Sequence, residues 1–597
     1  MAGILVTTDA EFKDARPVDT VNRIKEILKK YGVETVETWG ESNVPNCYSV
    51  RVTIAGTKIG TNGKGVNKEF ALASGYGEFM ERLQMGNIWK NKLSFEKGSA
   101  ADAHCQLVKP EALLERNAKW YDIFSERLFQ YTGIKMTPRE LLNQFVDKNG
   151  LIEAVSYYCV TTGTMEYLPL EIVRSVYASN GGAAGNTLEE AIVQAISEIV
   201  ERNHEMRVIQ EEISVPEIPE DVLRMYPIAY RIIQYLRDNG FRVVVKDCSL
   251  GKKFPVVCVC LVDAETGKYH THFGAHPNFE IALQRTLTET FQGRNLKNVA
   301  AFSGLCYAGE DPHNYSRLIK EFTMGCTERK PQFFTQEAEG NYRPCPGFSG
   351  SNNQQCLGEC MAYFREMGYD VLIRDYSCLG FPTCQVIIPG YSDVIAHRFS
   401  VKFGDYLYRS GATKTLRNPT TASVQDLLNF MVNMTKGNES DGGGMNEGGA
   451  SGSVQFNSSK FLMNAVQGYT YYALGKRKES IGYVAKMMTC CDSKDSGYLL
   501  CLHRYLSMQY CGYSPEEIKK TLNYFHKDET VQKLYGFVDQ GKNPFHDLVL
   551  RCDMNCGPHC RKYPNCNWPL IDKIALMIVE EAKKMDQSDL LALFERN

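Results

Sequence analysis

Three segments far apart in this chain share one spacing, and any fold it adopts must account for it. ALASGYGEFMER (Ala71 to Arg82), AIVQAISEIVER (Ala191 to Arg202) and ALQRTLTETFQGR (from Ala282) each carry a glutamate seven residues after the alanine: Glu78, Glu198 and Glu289. Ten residues after it stand Glu81, Glu201 and Gln292. Positions i and i+3 share one face of an α-helix, so each pair aims two oxygen-bearing side chains at a common spot. A single ExxER on an exposed helix is ordinarily a solvated face with intrahelical ion pairs. Three copies at one spacing, each behind a loop with glycine, argue instead for a shared site.

Acids in the last turn of such segments sit at the negative end of the helix dipole and need compensation, part of which Arg82 and Arg202 can supply. If the three helices converge, their carboxylates share a small volume, where each like pair about 4 Å apart is repelled by roughly 4 kcal/mol at an effective ε near 20. Such a cluster takes up protons or binds cations. Several hard carboxylate oxygens favour Mg²⁺, which keeps part of its water shell and completes its coordination with substrate phosphates. TNGKG (Thr61 to Gly65), SNGGAAGN (Ser179 to Asn186) and HFGAHPN (His272 to Asn278) precede the three helices, and glycine lets backbone N–H groups approach an anion at a helix start. Thr187 and Glu190 have the spacing of a capping box, which competes with a ligand role for Glu190. There is no G-x-x-x-x-G-K-[ST], since Gly65 follows Lys64, and no G-x-G-x-x-G at a strand-to-helix turn, so P-loop and dinucleotide folds are disfavoured.

With 597 residues the chain allows two to four domains. A formal net charge of -3 advertises neither nucleic acid nor an anionic membrane as partner. No apolar run approaches the length that spans a bilayer and the N-terminus has no signal-peptide pattern, so a cytoplasmic location is the expectation. Residues 1–435 alternate β-rich stretches (CYSVRVTIAG, RVVVKDC, FPVVCVCLVD, YDVLIRDY, CQVIIPG) with helix-period stretches, which predicts a mixed α/β domain. Residues 436–453, rich in glycine, serine and acid, read as a linker, and 454–597 as an all-helical domain in the manner of a helical-hairpin repeat.

Most of the 21 cysteines lie singly in apolar runs and read as small buried hydrophobes. Cys552, Cys556, Cys560 and Cys566 form one cluster, readable as a structural zinc or iron–sulfur site or as a loop of free thiols or a disulfide. Cys356 and Cys360 share one helix face, which core packing explains equally well. His204 reads as a helix-end cation, and YTYYALG as core packing.

At these residues the chain resembles the YcaO-domain family, nearest its stand-alone bacterial subgroup. The stretches SNVPNCYSV, TNGKGVNKEFALASGYGEFMERL, YASNGGAAGNTLEEAIVQAISEIVER, FGAHPNFEIALQRTLTETFQGR and IIPGYSDV carry the resemblance in order, over about residues 1–410. Ser74, Glu78, Glu81 and Arg82 match the first part of the family pattern, and Asn186, Glu190, Gln194, Glu198, Glu201 and Arg202 the second. Arg285, Glu289, Gln292 and Arg294 match the third, and FKDARPVDT resembles the nucleotide-contacting stretch, giving Lys13 and Thr20 phosphate or base contacts.

The resemblance implies a YcaO-type fold of three helix-and-loop repeats packed with β-sheets, binding ATP and Mg²⁺. On it, Glu78, Glu81, Glu198, Glu201 and Glu289 hold the metal, Arg202 and Arg294 face phosphates, and Arg202, Arg294 and Glu201 form the catalytic set. The implied reaction activates a peptide or protein backbone amide by phosphorylating its oxygen, yielding a thioamide or azoline. The chain ends LLALFERN instead of the proline-rich tail common in azoline-forming members, and no fused leader-peptide-binding domain is recognisable. Both features point towards the stand-alone subgroup, associated with β-methylthiolation of a ribosomal protein. A sulfur-donor or radical methylthiotransferase partner is implied, as is a homodimer. The alternative is a scaffold or accessory factor with no amide chemistry of its own.

Overall fold

Glycine decides how the repeats pack. The computed structural model describes residues 12–57, 59–88, 105–132, 135–147, 149–301, 304–305, 328–335, 342–393, 457–489, 496–549 and 568–595. It forms two compact units, one spanning the described residues up to 393 together with those from Asp572 onward, the other those from 457 to Ile571.

In the first unit helix α1 (Pro17–Lys30) starts with proline and buries Thr20, Val21, Ile24 and Leu28 along one stripe. Strands β1 (Thr35–Gly40), β2 (Tyr48–Ile54) and β3 (Gly60–Gly65) form an antiparallel sheet in that order. Helix α2 (Lys68–Gln84) lies directly on β3, because a Cβ at Gly63 would stand 2.1 Å from the Ala71 carbonyl oxygen and one at Gly65 2.5 Å from the Ala71 nitrogen. Only glycine permits that approach. The TNGKG segment is therefore a strand, and the sequence expectation of a phosphate-holding loop there is corrected: its glycines face helix backbone. Asn67 caps α2 by accepting from the Phe70 N–H at 2.8 Å, so this donor is also taken.

The second repeat repeats the device. Strands β4 (Gln106–Val108), β5 (Ile152–Cys159), β6 (Thr164–Pro169) and β7 (Gly182–Ala184) precede helix α3 (Leu188–Gln210). Gly185 abuts the Ala191 nitrogen, and the Thr187 hydroxyl accepts from the Glu190 N–H at 3.1 Å. In the third, α4 (Pro227–Asp238) is followed by β8 (Phe241–Asp247), β9 (Val256–Asp263) and β10 (Tyr269–Ala275), an antiparallel sheet ordered β10-β9-β8, and then by α5 (Phe279–Thr290). Val257, Val259 and Leu261 of β9 pack with α4 and α5, while Cys258 and Cys260 join the core around α3. Burial on both faces explains the unbroken apolar run VVCVCLV. His276 stands where the other repeats have glycine, six residues before Ala282, and its Nδ1 accepts from Asn278 N at 3.0 Å.

A fourth helix, α6 (Asn353–Glu366), shows the same packing: Gly350 abuts the Cys356 nitrogen, and Asn352 caps by accepting from Gln355 N. Cys356 and Cys360 are both buried there, as core packing requires. Strands β11 (Leu372–Asp375) and β12 (Thr383–Ile387) complete the sheet β4-β5-β11-β12-β7, with β6 on β5. The mixed α/β class read from the sequence is the one observed.

The second unit is helical: helices 457–473, 477–488, 496–510, 515–525 and 528–538 enclose a core including Val484, Leu499, Leu502, Leu522 and Leu534. The end of the chain, assigned from sequence to the helical domain, groups instead with the first unit. Helix Ser588–Glu595 buries Leu590 in the core around α3, and Phe594 stacks on Tyr158 at 5.4 Å. Apolar burial outweighs chain order. The proposed linker 436–453 and Cys552, Cys556, Cys560 and Cys566 lie outside the described residues. Among the described residues no helix is long and apolar enough to cross a membrane.

Candidate active site

The acids of the three repeats meet. Glu81 feels the charges of Arg82, Glu198, Glu78 and Lys64, and Glu201 those of Glu289, Arg202, Glu198 and Lys64, so the carboxylates of α2, α3 and α5 occupy one electrostatic neighbourhood. Burial pushes Glu81 up to about 8 against the pull of Arg82, with Glu198 and Glu78 adding to it. Glu201 is likewise pushed up to about 8, by burial and then by Glu289. Burial opposes ionisation of Glu289 too, but Lys64 and then His272 hold it well below the usual carboxylate range. Neighbouring acids are thus driven apart in affinity for protons, by burial first and by one another's charge second.

The cations present are divided among them. Arg82 Nε lies 3.7 Å from Glu78 and 3.4 Å from Glu81, and Arg202 Nε donates to Glu198 at 3.0 Å. Lys64 Nζ pairs with one oxygen of Glu289, while His272 Nε2 is 3.8 Å from the other. Glu81 Oε1 and Arg82 Nε are buried within ion-pair range of each other, yet neither makes a hydrogen bond. Among the described residues no group of three His, Cys, Asp or Glu side chains is placed so as to hold a metal ion by itself. The convergent oxygens, one buried and lacking a donor, nevertheless fit a hard divalent cation.

Eleven residues earlier on α3, about 16 Å at the helical rise, the second cluster is of a different kind. Glu190 accepts from Lys13 Nζ at 3.1 Å, Asp14 N at 3.1 Å, Asn186 N at 3.2 Å and Asn186 Nδ2 at 2.9 Å. Thr20 Oγ1 donates to Asn186 Oδ1 at 2.8 Å. Although burial opposes it, Lys13, Asn186 and Asp14 lower the Glu190 carboxyl below its usual value.

Other residues singled out from sequence serve as struts. Ser74 Oγ accepts from Lys64 N at 3.4 Å, and Gln292 Nε2 donates to the Asn62 carbonyl at 2.7 Å, tying the third repeat to β3. Arg294 reaches the Thr290 carbonyl at 3.5 Å. The charge of Arg285 is felt by Glu289, and Gln194 is half-buried one turn beyond Glu190.

Two expectations are corrected. Glu198, Glu201 and Arg202 are not in a last turn, since α3 continues to Gln210. His204 is no helix-end cation: burial lowers it to about 4, and its Nδ1–H donates to the Cys248 carbonyl at 2.8 Å. Sequence reasoning also missed Lys64, His272 and Arg51, whose Nη1 donates to Asn62 Oδ1 at 3.1 Å. The alternation in TNGKG was the signal, with Gly63 and Gly65 against the helix and Asn62 and Lys64 on the opposite face.

Residues 62–392 match the family described as YcaO cyclodehydratase, ATP- and Mg²⁺-binding. The chain belongs to the YcaO family. It is 33% identical over 387 residues to the ribosomal protein S12 methylthiotransferase accessory factor YcaO of Escherichia coli, and 32% over 397 residues to an uncharacterized protein of Haemophilus influenzae. Each match covers 64% of this chain, which spans 66% of the length of those curated relatives. Among solved structures it is similar to a heterocyclase in complex with substrate and cofactor (21% identity, TM-score 0.47, 64% of this chain and 53% of that one). It is also similar to YcaO from Methanopyrus kandleri bound with AMPPCP and Mg²⁺ (19% identity, TM-score 0.41, 64% and 94%). ATP and Mg²⁺ are accordingly the ligands of this YcaO domain.

Proposed function

We propose that this YcaO protein activates a peptide or protein backbone amide by ATP- and Mg²⁺-dependent phosphorylation of the amide oxygen. The observation that carries this reading is the convergence of Glu78, Glu81, Glu198, Glu201 and Glu289 from three helices, with Lys64 reaching across from β3 to Glu289. Bound ATP supplies the phosphoryl group that makes an amide oxygen a leaving group, and Mg²⁺ the charge neutralisation that transfer requires. The five glutamates hold the metal. Glu81 and Glu201 retain protons near neutral pH until a cation displaces them, and Arg202, fixed by Glu198, faces the polyphosphate together with Arg294. Lys13, Thr20, Asn186 and Glu190 form the nucleoside end of the same site.

A second reading is favoured by one specific observation, the 33% identity to an accessory factor for methylthiotransfer to ribosomal protein S12. On it the chain delivers a ribosomal protein to a methylthiotransferase without amide chemistry of its own. Phosphate release from ATP, measured with and without candidate peptide, separates the two. The enzyme reading expects peptide-dependent release, reduced at least ~100-fold, the upper end of what loss of a metal-supporting side chain costs, by Glu198→Gln or Glu201→Gln. Nucleotide binding without peptide-dependent release supports the accessory reading. Mass spectrometry of the product then distinguishes oxygen-to-sulfur exchange from loss of water.

A further inference from the structure

The third repeat lacks something the first two possess. Counting eleven residues from Ala71 and Ala191 reaches Arg82 and Arg202, each beside a glutamate of its own helix; the same count from Ala282 reaches Gly293. Glu289 therefore has no arginine at i+4, and Lys64 reaches it from a different repeat, from the face of β3 opposite the packing glycines. The Lys64 and Glu289 side chains are 16% and 24% exposed, so the pair is sheltered but open at one side. The charge of Lys64 also reaches Glu81 and Glu201. It stands among all three contributing helices.

Arginine and lysine differ in how readily they let go. The guanidinium of Arg202 contacts an acid one turn back on the same helix, and helix formation keeps both in place. Lys64 offers a strongly hydrated point charge on a flexible four-carbon stem, which can leave one anion for another without moving the backbone. We propose that Lys64 is the internal counter-cation of the metal centre, occupying the Glu289 carboxylate so that a divalent cation binds tightly only together with an anionic polyphosphate that draws the ammonium away. Metal and nucleotide affinities are then coupled, each ligand strengthening the other by the same factor. A site so arranged stays neutralised when empty and does not collect metal without nucleotide. This inference rests on the reading of the cluster as a metal–nucleotide site.

The test is Mn²⁺ binding to the full chain, followed by electron paramagnetic resonance, with and without the non-hydrolysable analogue AMPPCP. Wild type is expected to bind Mn²⁺ at least tenfold more tightly with the analogue. Lys64→Met keeps the bulk of the stem and removes the charge. It should bind Mn²⁺ at least tenfold more tightly than wild type in the absence of nucleotide and lose most of the coupling. Lys64→Arg should restore part of it. A merely structural lysine would give no gain in metal affinity, so unchanged or weaker Mn²⁺ binding by Lys64→Met overturns the inference while leaving the metal–nucleotide reading intact. Should Lys64→Met fail to fold, equal Mn²⁺ affinity of wild type with and without the analogue overturns it just as well. Absence of Mn²⁺ binding under every condition overturns both the inference and the reading beneath it.

Discussion

Glu190 and Glu201 lie on one helix, the first buried and the second half-buried, and their surroundings treat them in opposite ways. Four donors from two segments converge on Glu190 and hold its carboxyl below the ordinary range. Glu201, like Glu81, is met by other carboxylates and is pushed up to about 8. A buried acid supplied with donors is already part of the structure, and its removal leaves those donors unpaired. A buried acid denied them is a standing cost to the fold, retained where a ligand will supply the missing charge. The difference assigns structural work to one end of the site and chemical work to the other.

The sharpest way to break this comparison is to vary pH in the metal-free protein. A carboxyl whose pKa rises on folding contributes stability that is fully present below its unfolded value and is lost as pH rises through the folded one. For Glu81 that window runs from the ordinary carboxylate value, 4.5, to about 8. Metal-free stability should therefore fall on alkalinisation through it, by on the order of 4 kcal/mol from this group. Glu81→Gln should flatten the slope, and saturating Mg²⁺ should abolish it in wild type. Denaturant unfolding at a series of pH values decides the matter, and a flat metal-free profile would mean that burial does not hold Glu81 protonated.

The opposite end should respond with the opposite sign. Glu190→Ala strands Lys13 and three further donors, and about 3 kcal/mol of stability should go with them, the range expected on breaking a buried hydrogen-bonded charge. Because its pKa is lowered on folding, the wild-type contribution is present above the ordinary carboxylate value and lost as pH falls through the folded one. Comparing Glu190→Ala with wild type in acid should show the two stabilities converging. Divergence there would refute the assignment.

Much of the acidic end was legible because helical periodicity is local: seven and ten residues after an alanine fix a face whatever the rest of the chain does. That the helices converge followed only from the repetition. The glycines were misread because one residue type answers two needs, anion approach and backbone packing, and only tertiary contact tells them apart. Gly63, pressed on Ala71, and Gly350, pressed on Cys356, show the second need. The fourth copy makes the separation plain. It keeps the glycine and the Asn352 cap, yet Tyr363 and Glu366 hold the positions of the paired acids, and Tyr363 is buried in the core. Packing and chemistry are written in different residues of the same repeat. His204 escaped because a single histidine carries no periodic signal, and whether it is charged depends on burial that the α3 extension to Gln210 creates.

The smallest effect discriminates between two roles for Thr20. Its hydroxyl has one proton, within reach of Asn186 Oδ1 at 2.8 Å and the Arg16 carbonyl at 3.1 Å, and the residue is 7% exposed. A group so engaged acts on the nucleotide by fixing Asn186, whose amide in turn donates to Glu190. Thr20→Val keeps the shape and removes one hydrogen bond, so stability should drop by about 1 kcal/mol. Nucleotide affinity should fall by a similar free energy, roughly fivefold, with metal binding unchanged. The pairing of the two losses is what matters. If the hydroxyl touched the nucleotide directly, affinity would fall well beyond the change in stability, and Thr20 would move from the saturated network to the binding surface.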